Sequence, residues 1–105
     1  MIHDELQVAR EAQAKGQIGR SRAAARRAAG MALQEKLGIG PREAYATSFV
    51  EALKRLANDA ARPEAVRHAA LRLCTRVDAE YQSPSVDPVA DAELIIAYCS
   101  PNRII

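Results

Sequence analysis

The chain has 105 residues, of which 49% are hydrophobic, 27% charged and only 4% aromatic, with no Trp and a formal net charge of +2. That length suits a single domain over 1–105 with a modest core, and the small aromatic share makes that core one of Ala, Leu, Val and Ile. A pI of about 8.7 falls short of the strong basicity of a dedicated nucleic-acid binder, two Cys are no disulfide framework, and the longest apolar run, Leu94 to Cys99, is too short to span a bilayer.

The first predicted helix runs from Asp4, as N-cap, to Lys15, with Glu5 adding negative charge to its first turn. Ile2, Leu6, Ala9 and Ala12 or Gln13 share one face at helical spacing. Gly16 ends the helix, and the short Gly16–Gly19 connection makes the next helix an antiparallel neighbour.

The second helix, Gly19 to Leu37, is the centre of the design. At 100° per residue Ser21, Ala25, Ala28 and Ala32 form one narrow stripe, widened by Ala24 and Ala29. Arg20 and Arg27 flank it on one side, Arg22 and Arg26 on the other. Alanine combines high helix propensity with little bulk, so neighbouring helices can approach closely. Gly30 lies inside this helix and reads as a point of close approach, where a Gly30→Leu change would overfill the contact. The helix closes on the Gly-rich turn Leu37 to Gly40.

A third helix starts at Pro41, in the first helical position, and carries the bulkiest apolar stripe, Tyr45, Phe49, Ala52, Leu53 and Leu56, to an end near Asn58 or Ala61. The fourth opens at Pro63 and Glu64 and runs to Tyr81, with Val66, Ala70, Leu73, Val77 and Tyr81 inward and His68, Arg72 and Arg76 outward. A loop, 82–86, precedes the fifth helix, which has Asp87 as N-cap and Pro88 in its first position. Val89, Ala92, Ile96 and Cys99 form its inner face, widened by Ile95, and Pro101 ends it. The tail's Ile104 and Ile105 need cover from the bundle or from a partner. No segment alternates like a strand, so the expected fold is all-α, an up-and-down bundle of four to five antiparallel helices.

The polar chemistry is sparse. No glycine pattern matches a phosphate loop, and His3, His68, Cys74 and Cys99 lack the paired spacing of a zinc site. No Glu-x-x-His occurs on which a bundle metal centre could be built. Neither a metal nor a cofactor is expected. The arginines Arg20, Arg22, Arg26 and Arg27 are the groups with a ligand chemistry, phosphate binding, placed near the start of the second helix. Arg22 and Arg26, one turn apart, are the pair suited to a common ligand. Met1 to Gly16 has acids and no apolar core segment, so no secretory leader and a cytoplasmic location are expected.

Three stretches resemble the HEPN ("higher eukaryotes and prokaryotes nucleotide-binding") helical domains: the Ala/Arg-rich ARRAAGMALQEKL, the run Arg76-Val77-Asp78-Ala79-Glu80-Tyr81 before a Ser/Pro loop, and the closing helix DPVADAELIIAYC. The resemblance covers most of the chain and is compositional. It implies a bundle of four or five helices, often dimeric, of bacterial or archaeal kind. The alternative function it implies is a nucleotide-binding subunit or RNase of a toxin–antitoxin or nucleotidyltransferase system. In the RNase members an Arg-x(4–6)-His motif carries the activity, and Arg62 and His68 match it here. The residues themselves read otherwise: a non-catalytic helical interaction module, self-associating or serving a protein partner, with nucleotide or RNA as the second choice and no membrane role.

Overall fold

The structure, a computed structural model, describes residues 2–39, 46–75 and 87–100. It is the expected all-α up-and-down bundle: α1 (Ile2–Ala14), α2 (Ile18–Ala32) with a π-helical last turn (Leu33–Leu37), α3 (Ala46–Ala57), α4 (Glu64–Cys74) and α5 (Pro88–Cys99). No strand occurs among the described residues.

Local chemistry sets the ends. Gly16 and Gly38 take the left-handed conformation, φ 76° and 64°, that stops α1 and the π turn. The Ile39 amide reaches back to the Leu33 carbonyl at 3.0 Å. Asp87 caps α5 by accepting from the Ala90 amide at 3.0 Å, with Pro88 just inside. Asp4 is not a cap: α1 begins at Ile2, so Asp4 and Glu5 lie within its first turn, where negative charge suits the helix dipole. The fourth helix is shorter than predicted, because Thr75 turns extended at ψ 139° and ends α4 at Cys74.

The second helix packs against each of the other four. Its small stripe is the reason. Ala24, Ala25, Ala28 and Ala29 are wholly buried, as is Ser21, whose hydroxyl donates to the Ala9 carbonyl of α1 at 2.9 Å. That bond satisfies the one polar group of the stripe. Larger side chains on the surrounding helices fill the remaining volume, including Leu6, Phe49, Leu53, Leu56, Val66 and Leu73. Gly30 is a point of close approach, as expected: a Cβ there would sit 2.5 Å from the Phe49 Cβ and 2.8 Å from its Cα.

In α5 the inner face is rotated from the expected one. Ile95 is fully buried and Ile96 only partly, with Val89, Ala92 and Cys99 inward as predicted. Tyr45, Val77 and Tyr81, the Pro41 start, the Arg76–Tyr81 run and the isoleucine tail fall outside the described residues.

Candidate anion site on the central helix

The four arginines of α2 separate as their spacing implies, with different fates. Arg27 forms an ion pair with Glu5 of α1, through Nε. Arg20 is exposed and lines a shallow recess with Val8, Glu11, Ala12, Lys15 and Gln17. These two do not share a site with the other pair.

Arg22 is only 4% exposed. Its Nε and Nη2 have no hydrogen-bond partner. Burial, and then the positive charge of Arg26, hold its pKa below the usual arginine value, while Cys74 of α4 pulls it the other way. The Cys74 thiol is itself pushed up by burial, against the opposing pull of Lys54 on α3, Arg22 and Arg26. Cys74 of α4 therefore lies within electrostatic reach of three cations from two other helices: Arg22 buried, Arg26 half-buried and Lys54 exposed. No ion pair among the described residues engages Arg22, Arg26 or Lys54.

The arginine pair thus sits one to two turns into α2, within electrostatic reach of Cys74 on α4, and not on the free amides at its N-terminus. Sequence periodicity placed Arg22 and Arg26 together. It carried no signal for Lys54, which belongs to a different helix and reads as an ordinary polar flank.

Arg62 and His68 have separate partners. Arg62 lies in the α3–α4 turn, before Pro63. Its Nε donates to Asp59 at 3.2 Å and its Nη1 to the Tyr98 hydroxyl of α5 at 3.1 Å. Its guanidinium carbon stands 5.9 Å from the Tyr98 ring centroid, a cation–π contact. Those bonds, Tyr98 first, raise the Arg62 pKa. The Ala61 amide and then Arg62 hold the Asp59 carboxyl below its usual range. His68 is exposed on the outer face of α4, with Glu64 3.7 Å away as its partner one turn back. Arg62 is a fastener between the turn and α5, and His68 is a surface residue.

A second fastener went unseen in the sequence. Arg72, read as outward, spans to Asp91 of α5 with Nη2–Oδ1 at 2.7 Å and Nε to both oxygens at 3.2 Å. This bidentate contact raises the Arg72 pKa. No group of three or more metal-ligating His, Cys, Asp or Glu side chains occurs among the described residues, and no described helix is long and apolar enough to cross a membrane.

No protein-family model matches the chain, and neither the curated proteins nor the solved structures give a match.

Proposed function

We propose that this protein is a non-catalytic helical interaction module, acting as a homodimer or as the partner subunit of another protein. The observation that carries the reading is the employment of Arg62. The arginine of the nuclease-like motif is engaged by Asp59 and Tyr98, holding a turn against α5, while His68 stands apart in solvent with Glu64. Polar side chains that link helices, Arg62, Arg72, Arg27 and Ser21, serve packing. Leu71 supports the association half of the proposal. It is 53% exposed on the outer face of α4, a helix whose Val66 and Leu73 are buried.

Light scattering of the full chain across a range of concentrations tests the homodimer. A two-chain mass is expected, shifted towards one chain by Leu71→Lys with the helical content unchanged. A single-chain mass at every concentration overturns the homodimer. RNA cleavage by the purified chain, abolished by His68→Ala in a folded protein, overturns the module reading as a whole.

A further inference from the structure

We propose that Arg22, Arg26 and Lys54 form a binding site for a phosphate group at the meeting of α2, α3 and α4. The inference goes beyond the interaction module and does not rest on it.

The starting point is an unpaired ion in the interior. A guanidinium stays protonated in a protein, so Arg22 cannot escape its burial by becoming neutral. A buried charge is normally paired, because removing it from water without a partner is among the most unfavourable arrangements a fold can hold. Arg22 is 4% exposed, and two of its nitrogens have no partner. Those two, Nε and Nη2, carry the N–H groups along one edge of the guanidinium. That edge is the fork that grips two oxygens of a single oxyanion. The chain has left unmet the pair of donors that a bidentate ligand requires.

The surroundings define the ligand's charge. Arg26 comes from the same helix, Lys54 from α3 and Cys74 from α4. Two are cations and the third is a thiol that burial keeps protonated at neutral pH. Three positive charges therefore act on Cys74, and no acidic side chain among the described residues is paired to any of them. A carboxylate would bring one negative charge. A phosphate monoester brings between one and a half and two near pH 7, with three acceptor oxygens. The charge match selects phosphate. The three cations grade from buried Arg22 through half-buried Arg26 to exposed Lys54. In the proposed site Arg22 supplies the fork, and Arg26 and Lys54 add the charge on the solvent side.

The test is isothermal titration of the full-length chain with inorganic phosphate and, separately, with AMP. Saturable binding of at least one is expected, weakening steeply as salt rises. Equal affinity for the two means that the phosphate group alone is recognised; tighter AMP means that the nucleoside adds contacts. Arg22→Met should abolish binding while leaving helical content intact and raising the melting temperature of the unliganded chain, because the unpaired charge is gone. If Arg22→Met does not fold, the exposed-side double change Arg26→Met with Lys54→Met replaces it. That change should weaken binding by about ten- to hundredfold or more, the equivalent of losing charge-assisted hydrogen bonds. Arg20→Met, on the far flank, should change nothing. Absence of saturable binding to both probes at millimolar concentration overturns the proposal. So does binding that survives the Arg22 and Arg26/Lys54 changes, or that Arg20→Met removes. The two-chain mass is measured separately, so failure of the site and failure of the homodimer are told apart.

Discussion

At the residue scale, Gly30 shows how a missing side chain can hold two helices together. The atoms a new Cβ would meet are the Phe49 Cβ and Cα, at 2.5 and 2.8 Å. Backbone cannot swing aside as the tip of a flexible side chain can. Gly30→Ala therefore forces α2 and α3 apart even though alanine is the better helix former. Overpacking of this kind costs about 1–3 kcal/mol, and the gain in helix propensity offsets up to about 1 kcal/mol of it. A net loss of about 1–2 kcal/mol lowers the melting temperature of a domain this size by roughly 10 °C. Differential scanning calorimetry of Gly30→Ala against the parent chain decides it. An unchanged melting temperature would mean that the helices are not in that contact.

Among the elements, α5 depends on a cap that does two things. The Asp87 carboxylate accepts from the Ala90 amide and, on the same oxygen, from the Gln13 side chain of α1 at 3.0 Å. Gln13 also accepts from the Val89 amide at 3.4 Å. The start of α5 is thus tied to the last turn of α1. Asp87→Ala should destabilise by about 1 kcal/mol for the lost cap, with Asp87→Asn retaining most of the stability. Urea unfolding of the two variants checks this, and equal midpoints for Ala and Asn would remove the cap argument. The cap was legible in the sequence, as were Gly16, Gly38 and the small stripe of α2, because each is decided by residues within one or two turns. The fasteners were not. Arg72 and Asp91 are 19 positions apart, and Arg62 and Tyr98 are 36 apart. Nothing in local spacing pairs them. The same holds for Arg22. On a helical wheel it belongs to a charged flank, and a charged flank normally means solvent. Its burial comes from tertiary packing, which only the assembled bundle reveals.

The molecule as a whole carries a pH limit in Cys99. It is 2% exposed on the inner face of α5, and burial pushes its thiol from the ordinary 9.0 up to about 11, with Arg62 opposing weakly. Below pH 9 the thiol is protonated in both folded and unfolded chains and has no influence on stability. Between pH 9 and about 11 the unfolded chain loses the proton while the folded chain keeps it. Unfolding is then favoured, so stability falls with rising pH across that window and levels off above it. The decline from this one group is on the order of 2–3 kcal/mol. Cys74, raised in the same direction, adds to it. Tyr and Lys side chains titrate in the same range, so the informative quantity is the difference between the parent chain and Cys99→Ala. The variant starts less stable, because it leaves a small void beside Ile95 and Ala92, but its urea midpoint should fall less steeply from pH 9 to 11. Parallel curves would mean that the Cys99 thiol ionises as readily in the folded protein as in the unfolded chain, and that α5 does not seal this end of the bundle.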